Sequence, residues 1–514
     1  MKRFALIVLL LAVLVTPLAA QDTIEIEFVH IFGSEGDTRA DVIREIADDF
    51  EALPGNENID IVIRSTSTDY TEVFNAALLA ADQGNAPHIV QVEEGLTQLA
   101  ADSGFFLPIG ELASEEQLAS VEGILPVVAN YYRVGDTLWS MPWNSSNPVL
   151  YYNKTITDVL QIEISPTDPM TFSEFKAVCD QIQSVEMLIQ AVNAGYTHCA
   201  NWPMVSWFPE QWMAMQNAVV ANNENGRDGR ATEMFYTSPE MQQIVEWWAE
   251  MTADGHFTYT GAQGDYNGEG ALFGTGATTF HINSTAGITL FVAGFAGAGA
   301  ELGIAPLPVP DEEADNGVTM GGASLWVTAG HSDEETQVAV DFIFYLTNAE
   351  NDQRWHQGSG YFPVREASIE ALTEGGLWAT PDGLPYLEDG SVATVPEEVP
   401  VELVWLQSLA QGQLALGVDG PPADDAQPVS WFGTFPFFRI AVDQLANSNN
   451  NVATQGAIIG PSTEVRTALT DAIQSVVNSI LNEDASPVSV TDALEAAKTR
   501  ADAALAAYNA VIGE

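Results

Sequence analysis

A small set of positions in this 514-residue chain carries side chains suited to holding a polar ligand. Glu93 and Glu94 follow the apolar run Ile89-Val90-Gln91-Val92. In open α/β sheets ligands gather beyond the carboxyl ends of the strands, and a carboxylate placed there accepts hydrogen bonds from hydroxyls. Neighbouring residues point opposite ways at a strand end, so at most one of the two acids faces a cleft. The plainer reading is a pair of solvated acids among many. Ser145 and Ser146 lie in the polar turn 144–147, and Ser284 lies in the turn Asn283-Ser284-Thr285-Ala286-Gly287. Hydroxyls in such turns either donate to an anion or cap a helix. Gly321 and Gly322 open an apolar run ending at Val327, and a ligand can come close to the backbone N–H of a residue that has no Cβ. Tyr70 stands in a polar turn just ahead of a helix, and Tyr361 in an aromatic turn after Gly360. Of twelve arginines, Arg439 is the one in an apolar, aromatic run, 431–438. An arginine buried without a partner is costly. Its anion is either a ligand phosphate or carboxylate taken bidentately, or Asp443 one turn further on. Trp202, Trp207 and Trp212 offer an aromatic wall for a sugar or ammonium face, or ordinary core packing.

Signs of catalysis are missing. The chain has no G-x-S-x-G elbow, no H-E-x-x-H and no Walker loop. Its seven histidines lack metal-ligand spacing, and Glu93–Glu94 is not the spaced carboxylate pair of a glycosidase. No metal and no cofactor are expected. The charge is extreme: 71 acids against 16 bases give a net −55. Such a surface repels nucleic acid and anionic membrane and works against an anionic ligand at long range, so an anionic ligand must be held by local groups. With 46% hydrophobic residues the chain is globular rather than disordered. Residues 1–20, with Lys2-Arg3, an apolar run and Ala19-Ala20, read as a signal peptide cleaved near Ala20. The mature protein is then expected to be soluble and extracytoplasmic. Cys179 and Cys199 either pair in an oxidising compartment or remain buried thiols.

The elements needed to position these groups can be read from periodicity. Strands at 24–28, 59–63 and 89–92 alternate with helices at 38–53 and around 74–78, the pattern of an α/β lobe with a largely parallel sheet. Pro148 opens a strand, 149–152, and 302–308 reads as an extended crossing. Ser332 and Glu335 form a capping box for a helix with Val338, Phe342, Tyr345 and Leu346 on one face. A second helix spans 350–357. Residues 375–427 read as irregular, and helices at 464–481 and 491–511 close the chain.

Together the runs 320–327, 355–363, 144–154 and 84–87 resemble the extracytoplasmic solute-binding proteins of ABC importers, and within them the glycerol-3-phosphate and glycerophosphodiester binders. The resemblance covers nearly all of the mature chain. It implies a two-lobed α/β fold of the periplasmic-binding-protein type II kind. Each lobe would be a mostly parallel sheet flanked by helices, with hinge crossings and ligand clamped between the lobes. Lobe 1 would comprise residues 21–147 and 303–362, and lobe 2 residues 148–302 and 363–514. Tyr70 and Glu94 would contact the glycerol end. Ser146, Ser284, the N–H of Gly322, Tyr361 and Arg439 would surround the phosphate, and Trp202 or Trp207 would form an aromatic wall. The implied protein is a monomeric, non-enzymatic receptor for a small phosphorylated polyol, with a membrane permease as its partner and no nucleic acid. The alternatives are a sugar or oligosaccharide receptor, in which Arg439 pairs with a protein acid, and a secreted phosphodiesterase or glycosidase.

Overall fold

The computed structural model describes residues 23–33, 37–394, 400–482 and 484–513. The expected signal peptide and its cleavage site fall outside the described residues. No helix among the described residues is long and apolar enough to cross a membrane.

Two mixed sheets form the frame. In strand Ile24–His30 the side chains of Ile26 and Phe28 are buried while Glu25 is exposed, as alternation requires. This strand pairs in parallel with Ile59–Ser65 on one side and Ile89–Glu93 on the other. Strand Gly321–Thr328 then runs antiparallel to Ile89–Glu93, Phe106–Leu107 and Met141–Ser146. The second sheet has the order Phe257–Thr258, His198–Asn201, Thr278–Ser284, Pro148–Asn153, Leu302–Pro306. Its first two pairings are parallel and its last two antiparallel. The first sheet thus has two parallel and three antiparallel pairings and the second two of each, so neither is mostly parallel. The antiparallel pairings are made where strands arrive directly from the other lobe instead of through a helical crossover.

Only Asn147 separates strand Met141–Ser146 of the first sheet from Pro148–Asn153 of the second. The chain passes from the first sheet to the second at this point. The expected division at 302/303 does not follow the sheets, because Leu302–Pro306 pairs antiparallel with Pro148–Asn153 and belongs to the second sheet. The return crossing comes in residues 307–320.

Helix Asp333–Leu346 begins at the expected capping box, with the Ser332 hydroxyl accepting from the Glu335 N–H and the Glu335 carboxylate accepting from the Ser332 N–H. The stretch read as irregular contains order: strand Gly376–Ala379 pairs antiparallel with Gln427–Ser430, and Val401–Ala410 is a helix. Gly- and Pro-rich flanks obscured an element whose Val404, Trp405 and Leu409 are buried. Cys179 and Cys199 form a disulfide with a Cα–Cα distance of 5.4 Å, joining helix Phe172–Gln183 to strand His198–Asn201.

Helices Ser462–Leu481 and Val490–Ile512 pack on each other and on helix Pro239–Ala253 of the second lobe. They also reach the first lobe. Asp102, at the end of helix Thr97–Asp102, accepts from both terminal nitrogens of Arg230 at 2.6 and 3.0 Å and from the Tyr508 hydroxyl at 2.7 Å.

Candidate functional site

The carboxyl end of strand Ile89–Glu93 meets the second lobe at one arginine, Arg466. It lies in the first turn of helix Ser462–Leu481, beside the buried Val465. The Arg466 Nε and Nη2 donate side-on to Glu210 at 2.9 and 2.7 Å, and Nη2 also donates to Glu94 at 3.0 Å. Its Nη1 stands 3.6 Å from Glu93. Glu94 is 3% exposed, whereas about a third of the Glu93 side chain reaches solvent. The two differ in burial but not in direction: the strand ends at Glu93 and Glu94 opens the turn Glu94–Leu96, so alternation does not separate them and both carboxylates reach Arg466, against the expectation that at most one faces the cleft. Gly95 makes room for the guanidinium, since a Cβ there would stand 2.4 Å from Nη1.

The charges leave three carboxylates round one guanidinium. Burial pushes the Glu94 carboxyl up to about 8, with Arg466 opposing and Glu93 and Glu210 adding to the rise. Burial also raises Glu93. For Arg466, burial works against the charge, but Glu210, Glu94 and Glu93 outweigh it and hold the guanidinium firmly protonated.

A second group of polar atoms adjoins this cluster through the sheet. Ala323 pairs with Glu93, Gly322 with Ser145 and Gly321 with Ser146. Gly322 adopts φ +108°, and a Cβ there would lie 1.9 Å from the Asn144 carbonyl oxygen; only glycine fits. Ser145 Oγ is buried with no hydrogen-bond partner among the described residues, and so is Trp207 Nε1. Trp207 lies three residues before Glu210 on helix Trp207–Met215, on the same face, with its indole packed on Gly321. Both groups are open to an acceptor, as are the indole N–H groups of Trp143, Trp202, Trp248, Trp355 and Trp431.

Tyr70 and Tyr361 form the third side. The Tyr70 hydroxyl accepts from Asn144 Nδ2 at 2.7 Å and lies 3.4 Å from the Tyr361 hydroxyl. Asn144 is oriented by Gln91, which accepts in turn from the Ile31 N–H. Burial, then Tyr361, holds the Tyr70 phenol well above its usual range, so it is a neutral donor. Ser284 caps the turn Thr285–Gly287 through its Oγ, which accepts from the Ala286 N–H at 3.2 Å. The Thr285 N–H donates to Asn147 O at 2.9 Å. That bond sets the turn beside the end of Ser146's strand.

The structure therefore brings together Tyr70, Glu94, Ser146, Ser284, Gly322, Tyr361 and Trp207 at the junction of the lobes. It does not bring Arg439 or Trp202. Arg439 donates to Asp443 at 2.6 Å and to Thr373 at 3.0 Å, with 38% of its side chain exposed. It borders a surface pocket of about 390 Å³ lined by Glu366, Glu370, Glu374 and apolar residues, none of them in the Arg466 cluster. The aromatic run around it folds into helices Trp431–Thr434 and Pro436–Ala446, whose buried face leaves Arg439 outside and Asp443 one turn away. Trp202 is fully buried and stacks on Trp247 at 5.4 Å in the core of the second lobe. Sequence reasoning missed Arg466 and Glu210, and of the two turn hydroxyls it placed Ser146 rather than Ser145 at the phosphate. An arginine flanked by Val465 and Leu469 on a helix resembles any amphipathic helix, so the only signal was its closeness to the apolar stripe.

His88, His331 and Glu335 place donor atoms within 4.8 Å of one another at the amino end of strand Ile89–Glu93, opposite the junction. The Glu27 N–H donates to His88 Nδ1 at 3.1 Å. The ring proton is then on Nε2, which cannot serve as a metal donor, so the set does not fit an ion.

Residues 45–382 match the profile of the bacterial extracellular solute-binding proteins. The chain belongs to that family. This solute-binding protein is 28% identical over 393 residues to the sn-glycerol-3-phosphate-binding periplasmic protein UgpB of Rhizobium meliloti (strain 1021), covering 75% of the chain and 86% of the relative. It is 30% identical over 333 residues to the UgpB of Shigella flexneri serotype 5b, covering 63% and 72% respectively. Among solved structures, UgpB from Mycobacterium tuberculosis in complex with glycerophosphocholine superposes with a TM-score of 0.64 at 17% identity, over 95% of this chain and 99% of that one. The acarbose-binding GacH receptor of Streptomyces glaucescens gives 0.61 at 15% identity, over 96% and 100%. These two likenesses establish the two-lobed fold. The solute-binding protein is the substrate-binding component of an ABC importer.

Proposed function

We propose that the protein captures a small phosphorylated glycerol derivative, sn-glycerol-3-phosphate or a glycerophosphodiester, between its lobes and delivers it to the importer's permease. It acts as a monomeric extracytoplasmic receptor and not as a catalyst. The observation that carries this reading is Arg466, a cation at the lobe junction, on the same sheet end as Ser145, whose buried hydroxyl has no partner among the described residues. A phosphoryl group set there meets the guanidinium fork, the serine hydroxyls, the Gly322 backbone, Trp207 Nε1 and Tyr361. Glu94 and Tyr70 face its glycerol hydroxyls. Closure of the lobes follows from the ligand's greater affinity for the closed arrangement.

A sugar receptor is the second reading, and a specific observation favours it: three carboxylates outnumber the one arginine, and carboxylates beside an indole suit hydroxyl-rich rings. A thermal-shift screen with glycerol-3-phosphate, glycerophosphocholine, maltose and inorganic phosphate separates the two. A ligand at 100 times its Kd stabilises the fold by about 2.7 kcal/mol. A response to maltose alone overturns the phosphoryl reading.

A further inference from the structure

The proposed site contains its own competitor for the ligand. Glu94 comes from the first lobe, Glu210 and Arg466 from the second, and with Glu93 the three acids and one base carry two net negative charges when all are ionised. A phosphoryl group taken end-on and bidentately engages both terminal nitrogens of Arg466: Nη1, which stands 3.6 Å from Glu93, and Nη2, which now donates to Glu94 and Glu210, so it competes for the Nη2 donor that serves Glu94. It would add a third negative charge to a place from which water is largely excluded. Leaving Glu94 ionised and stripped of its donor is the costly outcome. Accepting a proton is the cheaper one.

We infer that the ligand's anion displaces Glu94 from Arg466 and that a proton from solvent moves onto the released Glu94 carboxyl, so that binding is proton-coupled. The inference rests on the phosphoryl reading above. The product is balanced: one anion gained, one proton gained, and Arg466 protonated throughout. The protonated Glu94 keeps a use, because its O–H can donate to a ligand hydroxyl or phosphoryl oxygen that a carboxylate would repel.

The groups facing Glu94 favour this exchange. Glu93 precedes it, with Asp69 beside Glu93; Glu210 and Arg466 come from the opposite lobe. Tyr131, Tyr132 and Tyr266 surround the cluster, and burial holds each of them neutral across the physiological range. Arg466 is thus the cation that keeps the Glu94 carboxyl from rising further, and it is the group the ligand engages. In the free protein that carboxyl titrates at about 8. Below about pH 7 it is already protonated and binding takes up nothing. Above about pH 8 each bound ligand takes up close to one proton, and Kd weakens about tenfold per pH unit.

Calorimetric titration of the full chain from pH 6 to 9.5 tests this. The probes are glycerophosphocholine, whose diester does not titrate in that range, and sn-glycerol-3-phosphate above pH 7.5. The expected result is a flat Kd below pH 7, a slope approaching one decade per unit above pH 8, and a binding heat at pH 8.5 that varies with the buffer's ionisation enthalpy. Glu94→Gln removes the slope. Binding with a flat Kd and buffer-independent heat overturns the proton exchange and leaves the phosphoryl reading standing. A slope that persists in Glu94→Gln overturns the assignment to Glu94. Failure of both probes to bind at any pH refutes the phosphoryl reading and this inference with it. The buffer-dependent heat needs no variant, so a poorly folding Glu94→Gln leaves the test intact.

Discussion

Replacing Arg466 by alanine is the sharpest test of where the ligand's anion sits. The guanidinium makes three hydrogen bonds, at 2.7, 2.9 and 3.0 Å, to Glu210 and Glu94. Without it, a phosphoryl group at the junction loses the cation paired with this acidic cluster and faces Glu93, Glu94 and Glu210 unopposed, since Arg39 lies on the Tyr70–Tyr361 side and is paired with Asp37. Truncating one partner of a buried, hydrogen-bonded charge pair costs about 2–5 kcal/mol, which is roughly 30-fold to several thousand-fold in Kd. Arg466→Lys keeps the charge but not the planar fork and should fall between wild type and alanine. Arg439→Ala is the matched control. Its partner is an exposed residue four positions along the same helix, worth ~0.3–0.5 kcal/mol of stability, and it should leave Kd unchanged. Isothermal titration with sn-glycerol-3-phosphate or glycerophosphocholine reads the affinity, after thermal melts of the unliganded variants confirm folding. Wild-type affinity in Arg466→Ala, or a large loss in Arg439→Ala, refutes the placement of the anion.

Further outcomes follow from individual contacts. Gly322→Ala should lower Tm by several degrees and weaken binding, since the added Cβ strikes the Asn144 carbonyl and φ is +108°; melts and titration check both. Tyr361→Phe should cost about 1 kcal/mol of ligand affinity, one hydrogen bond, with Tm nearly unchanged. Reducing the Cys179–Cys199 disulfide, which closes a loop of 20 residues, should remove roughly 3 kcal/mol, seen as a lower denaturant midpoint with dithiothreitol. Burial lowers the pKa of His30, His88 and His356 to about 4 and that of His281 to about 3. Their folded values lie below the unfolded 6.5, so the stability they contribute is full above pH 6.5 and is lost as pH falls toward 4. Asp352, raised by burial to about 6, works in the opposite sense. Denaturant midpoints at pH 7, 5.5 and 4.5 should therefore decline, less steeply than four histidines alone would give.

Much of the junction was legible from sequence because strand ends announce themselves. Glu94 and Gly322 each close or open an apolar run, Ser146 lies in a polar turn ahead of one, Tyr70 starts a helix and Tyr361 follows Gly360. The capping box at Ser332 was readable for the same local reason. Arg466 was not legible. It is carried to the junction by packing of helix Ser462–Leu481 against helix Pro239–Ala253 and the turn Glu94–Leu96, which no short window contains. Arg439 misled because an apolar run in sequence does not mean burial on every side: a helix turns one face outward, and Asp443 lay within reach. Trp202 and Trp207 look alike in sequence, yet one packs among Trp247, Trp248 and Phe257 while the other lies on Gly321. The strand Leu302–Pro306 was assigned to the wrong lobe because a crossing and an edge strand are both extended.

Asp102 gives the final helix a mechanical part in the protein. Its three bonds come from two distant places in the second lobe, Arg230 and Tyr508, while its own backbone belongs to the first. Any swing of one lobe away from the other must stretch or release these bonds, so they act as a strap whose tension adds to whatever the guest contributes. Salt, which weakens part-exposed ion pairs, would slacken that strap and the Arg466 cluster together, since Arg230 and Arg466 are each 20% exposed.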